Sequence, residues 1–165
     1  MILSKRASRE DIPLIHEMAC VAFPHTYAAI LQPEQIDYMM DWMYSLENLN
    51  KQMEEGHIFF IVFEDETPAG YVSINQEDTD LFHLQKIYVL PQFQKRSLGK
   101  VLFNLAIEEI RRLHPAPCKM ELNVNRYNKA LDFYKYMGMK QLRQGDFDIG
   151  NGWYMNDYIM GLDIE

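Results

Sequence analysis

Basic residues are scarce in this chain. Sixteen lysines and arginines face twenty-four aspartates and glutamates, a formal net charge of −8. Binding to nucleic acid needs a basic footprint that neutralises phosphate, so this balance argues against that partner. It is compatible with a cationic substrate, and equally with plain solubility. Cysteine is scarcer still. Cys20 and Cys118 are the two in the chain, and no metal-ligand spacing surrounds either. That argues for a reducing compartment, so a cytoplasmic location is expected, and against a zinc site; no metal is expected. No apolar run reaches the roughly eighteen residues of a membrane span. Residues 1–6 are too short and polar for a secretory core, so no membrane partner is expected. Repeats, low-complexity tracts and linkers are absent too. A length of 165 residues suits one domain, 1–165, large enough to bury a core without disulfide or metal staples.

The apolar pattern divides the chain into strands and helices. A short strand covers residues 2–7, then Ser8 and Asp11 are spaced as a capping box. Ile12, Ile15, Met18 and Ala19 share one helical face, and Phe23-Pro24-His25 is predicted to stop that helix. Pro33 suits the first turn of a second helix, which carries Ile36, Met39, Met40 and Met43 on one face and Glu34, Asp37 and Asp41 on another. Helical character continues to Glu55, and Gly56 closes it. Strands follow at 58–63, 70–74 and 81–90, spaced for an antiparallel meander. Leu98, Val101, Leu102, Leu105, Ala106, Ile110 and Leu113 mark a helix with a wide apolar stripe. A strand at 118–125 alternates apolar and polar residues. A helical face of Tyr127, Ala130, Leu131, Tyr134 and Met137 comes next, and two strands flank Gly150-Asn151-Gly152. The order is mixed α/β, not the regular alternation of a doubly wound fold.

Chemistry concentrates between residues 84 and 100. A strand ends at Tyr88-Val89-Leu90-Pro91, a loop carries Gln94, Lys95, Arg96, Ser97, Leu98, Gly99 and Lys100, and the striped helix begins. The first amides of a helix have no internal partner and point outward at the positive end of its dipole, so this turn suits an anion such as a diphosphate. Three cations within the loop add to that in an otherwise acidic chain, although a solvated basic loop reads the same way. A Walker A loop is excluded, because Val101 follows Gly99-Lys100 and no glycine precedes at the right distance. The dinucleotide pattern of spaced glycines is absent.

The segment Gln94-Lys95-Arg96-Ser97-Leu98-Gly99 resembles the Gln/Arg-x-x-Gly-x-Gly/Ala signature of the GCN5-related N-acetyltransferase (GNAT) superfamily. The segment from Asn125 through Asn128, Ala130, Phe133 and Tyr134 to Gly138 resembles that family's second signature, and the spacing between the two agrees. Closer similarity is to the bacterial subgroup that acetylates spermidine and spermine, carried by Phe23 with Thr26, Pro33-Glu34, Phe59-Phe60-Ile61, Gly70-Tyr71-Val72, Gln94-Lys95 and Asp157-Tyr158-Ile159-Met160. Two positions depart from the family pattern. Ser97 stands where the first signature glycine usually is, which costs energy if the backbone there needs a positive φ. On the strand before the loop, where the family often carries a glutamate that relays the amine's proton, this chain has His83 and Gln85.

The resemblance implies a single-domain α/β acetyltransferase fold with a mixed sheet of about seven strands and about four helices. It implies a cleft where the strand ending at Val89 and the strand starting at Cys118 splay apart. Acetyl-coenzyme A would be the cosubstrate. Its pantetheine arm would pair with the backbone of Ile87, Tyr88 and Val89, its diphosphate would sit on the 94–100 loop, and Asn125 and Asn128 would reach the coenzyme. A primary amine, a cationic small molecule such as a polyamine, would attack the thioester directly in a ternary complex. Tyr134 would protonate the leaving thiolate, and His83 or Glu64 would serve as base. Periodicity alone reads Tyr134 as a core aromatic and His83 as a packed strand residue. Tyr27, Glu34, Asp37 and Asp41, with Tyr38 and Trp42 nearby, would form the acceptor wall; the plain reading of those acids is a solvated helix face. The same resemblance leaves open an acetyl-coenzyme A sensor with little catalysis and a transferase for protein N-termini or lysines. A homodimer is compatible with it.

Overall fold

The computed structural model describes all 165 residues, Met1–Glu165. The chain opens with β1 (Ile2–Arg6), followed by α1 (Ile12–Tyr27), α2 (Pro33–Tyr44) and α3 (Leu46–Glu54). The meander β2 (Ile58–Glu64), β3 (Thr67–Asp78) and β4 (Leu81–Val89) leads into α4 (Leu98–Leu113). The last part is β5 (Cys118–Asn125), α5 (Ala130–Tyr136), β6 (Lys140–Gly150) and β7 (Trp153–Ile164). The seven strands make one sheet in the order β1-β2-β3-β4-β5-β7-β6.

Three expectations need correction. First, α1 does not stop at Pro24 but runs through it to Tyr27. Proline removes one amide, yet the Thr26 hydroxyl donates to the Ala22 carbonyl at 2.8 Å, and buried Phe23 and Tyr27 hold the extra turn onto the sheet. Second, the helical stretch that continues to Glu55 is interrupted, giving five helices, in keeping with the expected fold: Ser45 separates α2 from α3. Its extended ψ of 151° breaks the helix, and its hydroxyl accepts from the Asn48 amide at 3.1 Å as an N-cap. Third, Tyr127 lies outside α5 and is exposed.

Apolar side chains cover both faces of the sheet. On one face α4 buries Leu98, Leu102, Phe103, Ala106 and Ile110, and Tyr134 of α5 joins the same cluster. On the other, α1, α2 and α3 bury Ile15, Phe23, Tyr27, Met39, Tyr44 and Leu49. Each fully buried large side chain contributes about 1.5–3 kcal/mol, so truncating Leu102 in the middle of its cluster would cost about 2–5 kcal/mol.

All neighbouring strands run antiparallel except β4 and β5, which are parallel and share three registered pairs, from Leu81↔Lys119 to His83↔Glu121. Past His83 the two strands part. The β3–β4 register shifts there: Ile74 pairs with Leu84 and Ser73 with Lys86, so Gln85 is a bulge. A bulge bends its strand and increases local twist. Meanwhile β5 stays in register with β7 along its whole length. The sheet therefore opens between two strands that each follow a different partner.

Candidate active site

The opening between β4 and β5 is a cleft of 1210 Å³. From β4 it is lined by Leu84, Gln85, Ile87, Tyr88 and Val89, and from β5 by Leu122, Asn123 and Val124. The end of α1 and the turn after it close one side with His25, Thr26, Tyr27, Ala29 and Ile30. The loop before α4 and the first turns of α4 and α5 close the other.

The loop before α4 has the shape an anion site needs. Lys95 and Ser97 both adopt the left-handed conformation, with φ of 66° and 62°. Turning the chain this way aims successive amides into one concavity. Ser97 is the N-cap of α4, but its hydroxyl caps nothing, so the first amides of a sixteen-residue helix stay free. Gln94, Lys95, Ser97, Leu98, Gly99 and Lys100 all line the cleft. Arg96 does not: its guanidinium pairs with Glu64 and lies over the Phe93 ring. Glu64, held in that pair, does not line the cleft either. The Gln94 side chain donates to the Val89 carbonyl at 3.2 Å and fastens the loop to the end of β4. Gly99 faces the Phe133 ring of α5, where a Cβ would make ordinary contact at 3.4 Å.

Two asparagines shape the approach to α5. Asn125 is buried, and its Oδ1 accepts from the Tyr127 amide at 2.9 Å; it does not line the cleft. The Oδ1 of Asn128 accepts from the Ala130 amide at 2.9 Å, and its Nδ2 donates to the Tyr27 hydroxyl at 3.4 Å. These local bonds delay the start of α5 to Ala130. Asn128 does line the cleft, as does Tyr134 one turn into α5. Burial pushes the Tyr134 hydroxyl well above the usual tyrosine range, with Tyr27 adding to the effect. It is therefore protonated throughout neutral pH and able to donate.

Tyr27 is held deep against the sheet. Its hydroxyl accepts from Asn128 Nδ2 at 3.4 Å and lies close enough to Tyr88 for the two to influence each other's pKa, so it sits between β4 and the β5–α5 turn. Burial raises the pKa of Tyr27 and of Tyr88. Other acceptor-side expectations are not met. Asp37 and Asp41 open into a separate cavity of 390 Å³ beside His16, Cys20 and Pro24, on the far side of α1. Glu34 is exposed and lines neither cavity. The Tyr38 hydroxyl donates to the Ile149 carbonyl at 2.7 Å, and its ring stacks on Trp42. The acidic stripe of α2 thus faces away from the cleft, because Ile36 and Met39 are drawn into the core and rotate it outward.

His83 sits at the apex of the splay, in the last β4–β5 pair, and does not line the cleft. Its Nδ1 lies 3.3 Å from Glu77. Burial lowers its pKa, while the Glu77 charge pulls the other way. Gln85 does reach the cleft, with its amide bonded to Asn75 Oδ1 at 2.6 Å. Sequence reasoning passed over Asn123 and the closeness of Tyr27 to Tyr88, and gave Phe133 no role beyond its place in the signature. The strict alternation of β5 was the available signal for Asn123; the tyrosine pair joins residues far apart in the chain and left none.

Comparison with known proteins agrees with this geometry. Residues 27–155 match the acetyltransferase (GNAT) domain family. A spermidine N(1)-acetyltransferase of Thermoplasma acidophilum is 25% identical over 142 residues, 82% of this chain and 86% of that protein. An uncharacterised N-acetyltransferase of Lactobacillus delbrueckii subsp. lactis is 24% identical, with 88% of each chain covered. Among solved structures, the PaiA N-acetyltransferase of T. acidophilum in complex with coenzyme A superposes with a TM-score of 0.79 at 26% identity, over 98% of both chains. The ribosomal-protein-S18-alanine N-acetyltransferase of Escherichia coli shares the fold, with a TM-score of 0.75 at 18% identity over 100% of this chain and 95% of that one. A split parallel strand pair, a free helix amino end behind it and a family match over most of the chain lead to one conclusion: this protein belongs to the GNAT family and is an acetyl-coenzyme A-dependent N-acetyltransferase.

Proposed function

We propose that the acceptor is the primary amine of a small cationic molecule of the polyamine class, acetylated by direct attack in a ternary complex. The observation that carries the common-cleft arrangement is the continuity of the 1210 Å³ opening, which runs from the amides at the start of α4, past Tyr134, to Tyr27 and Asn123. The acidic net charge and the spermidine-acetylating relative support a cationic acceptor.

In this reading the coenzyme's diphosphate rests on the free amides at Leu98, Gly99 and Lys100, with Lys95 and Lys100 neutralising its charge. Its pantetheine arm lies along Ile87, Tyr88 and Val89 as an added strand. A backbone amide near Val89 polarises the thioester carbonyl. An alkylamine has a pKa of about 10 and must lose a proton before it attacks. As the carbon–sulfur bond breaks, Tyr134 donates a hydrogen bond to the developing thiolate. Its raised pKa keeps that proton mainly on oxygen until the sulfur draws it.

The test is thiol release from acetyl-coenzyme A across spermidine, spermine, zwitterionic amino acids and peptides. Polyamines should react fastest, and their advantage should shrink as salt screens the attraction. Equal rates for polyamines and zwitterions, insensitive to salt, would overturn the polyamine reading.

A further inference from the structure

The chain buries three carboxylates, and two of them are neutralised. Glu109 is held by Arg112 at 2.7 Å and Arg6 at 3.4 Å, and Glu121 by Arg143 at 2.7 Å. The third, Asp157 on β7, has no salt-bridge partner. Its side chain is 5% exposed; Oδ2 receives one long bond from Asn123 Nδ2 at 3.4 Å, and Oδ1 receives none. Arg126 lies near enough to ease the burial of the charge but makes no hydrogen bond to it: its Nη2 is committed to Asp146 at 2.9 Å and the Gly145 carbonyl at 3.1 Å, and its buried Nε has no partner. A buried carboxylate left this short of donors destabilises the fold unless something else supplies the missing partner.

Asp157 stands directly behind the cleft wall. It registers opposite Asn125 on β5, so its side chain shares a sheet face with Asn125 and Asn123, the face covered by α1. Asn123, its one hydrogen-bond partner, lines the cleft. Tyr27 lines it too, and the charge of Asp157 contributes to raising the Tyr27 pKa, so the field of the carboxylate reaches the cleft. The acids of α2, which would otherwise supply negative potential there, face the separate cavity or solvent.

We propose that Asp157 is the positioning carboxylate of the acceptor side: it draws the acceptor's ammonium group to Asn123 and Tyr27 and takes up, by way of the Tyr27 hydroxyl or a bridging water, the proton the amine sheds. This deepens the amine-acetylation reading and rests on it. The ammonium N–H bond breaks and its proton passes to the carboxylate by way of the Tyr27 hydroxyl or a bridging water. The freed lone pair attacks the thioester carbon. When the carbon–sulfur bond breaks, sulfur keeps the electron pair and takes a proton from Tyr134, which is replaced by the second proton of the attacking nitrogen. Asp157 returns its proton to solvent as the amide leaves. Burial raises the pKa of Asp157 to about 6. At neutral pH it is thus mostly ionised, yet basic enough to accept.

The groups around it leave a clear titration. Tyr27 and, beyond it, Tyr88 are raised above the usual tyrosine range. Arg126 is ion-paired to Asp146 of β6, and Glu121 is paired to Arg143 farther along the same face. His83 at the apex, whose pKa is lowered by burial while the Glu77 charge pulls the other way, serves as one comparison, and His25, which lines the cleft beside Tyr27, as the second.

The experiment is the pH profile of kcat/KM for spermidine, measured by thiol release, in wild type, Asp157→Asn, Asp157→Glu, His83→Gln and His25→Gln. Wild type should show an acid limb near pH 6. Asp157→Asn should lose that limb and about a hundredfold in kcat/KM at neutral pH, with coenzyme affinity unchanged. Asp157→Glu should restore the limb in part, and His83→Gln and His25→Gln should keep it. The stability readout has the opposite sign to the activity. A carboxyl whose pKa is raised on folding stabilises the protein less as pH rises from its ordinary value through about 6. Asp157→Asn should therefore melt higher than wild type at pH 7, whereas a merely structural aspartate would melt lower on substitution. An active wild type whose limb survives in Asp157→Asn, or vanishes in His83→Gln or His25→Gln, overturns this inference alone. A wild type that binds coenzyme but releases no thiol with any amine overturns the amine reading and this inference together.

Discussion

Replacing Tyr134 by phenylalanine removes one oxygen atom from the cleft and leaves the ring in place. The ring packs edge-on against Phe133, with centroids 5.6 Å apart, and that contact does not involve the hydroxyl. The substitution should therefore change folding stability by less than about 0.5 kcal/mol. The kinetic cost is different. A hydrogen bond to a charged partner contributes about 1.5–3 kcal/mol, and the group is shielded from solvent, so the upper part of that range applies. At about 1.4 kcal/mol per tenfold, kcat should fall about 40- to 150-fold. The bond strengthens only as sulfur acquires charge, so the loss should appear in kcat and in kcat/KM alike, with coenzyme affinity within about twofold of wild type. Steady-state thiol release and titration calorimetry with coenzyme A measure the two quantities. A kcat within about twofold of wild type would refute the role given to the hydroxyl and leave water as the donor.

Ser97→Gly should stabilise the protein: the left-handed conformation costs a non-glycine residue about 1–2 kcal/mol, glycine's extra chain entropy offsets about 0.5–1 kcal/mol, and calorimetry should show the melting temperature rising by about 1–4 °C. A fall would mean the serine hydroxyl makes a contact that its free position at the N-cap does not reveal. Gly70→Ala should act in the opposite direction, because the new Cβ would lie 2.6 Å from the Tyr88 carbonyl oxygen and 3.2 Å from Leu102. It should cost about 1–3 kcal/mol in urea unfolding and weaken coenzyme binding by displacing β4 at Tyr88 and Val89. Lys86 is buried, with its Nζ 2.8 Å from Gln52 Oε1, and burial lowers its pKa to about 7. The unfolded chain binds more protons than the folded one between that value and the ordinary lysine value, so stability should rise with pH across this window. Lys86→Met should flatten the rise, as read from unfolding at pH 7 and pH 9; an unchanged slope would place its origin elsewhere.

Much of the fold was legible because period and punctuation agree in this chain. The alternation of β5, the apolar stripe of α4 and the turn residues after β2 each point to the element that forms. Pro24 misled because a proline signals a helix end through one missing amide, whereas the outcome depended on Phe23 and Tyr27 finding a core that no local window contains. The coenzyme side of the cleft was legible for the same reason as α4: its chemistry resides in consecutive backbone amides. The acceptor side was not. Glu34, Asp37 and Asp41 looked like a binding face because they share a helical stripe, but a stripe gives direction only relative to its own helix. Which way α2 turns is decided by how Ile36 and Met39 pack, and Asp157 becomes visible only when β7 is laid beside β5.

The short parallel pairing of β4 with β5 has a consequence for handling the protein. A continuous sheet has two edges. This one, joined in its middle by three residue pairs, has in effect two more, formed by the unpaired backbone of β4 and β5 beyond His83 and Glu121. Unpaired strand backbone is a template for another chain, and proteins without a cover over such rows tend to self-associate. An added strand lying along β4 would cover one row. Coenzyme should therefore suppress aggregation at high protein concentration beyond what its effect on the folding equilibrium explains, with the difference largest where the cleft backbone is most open.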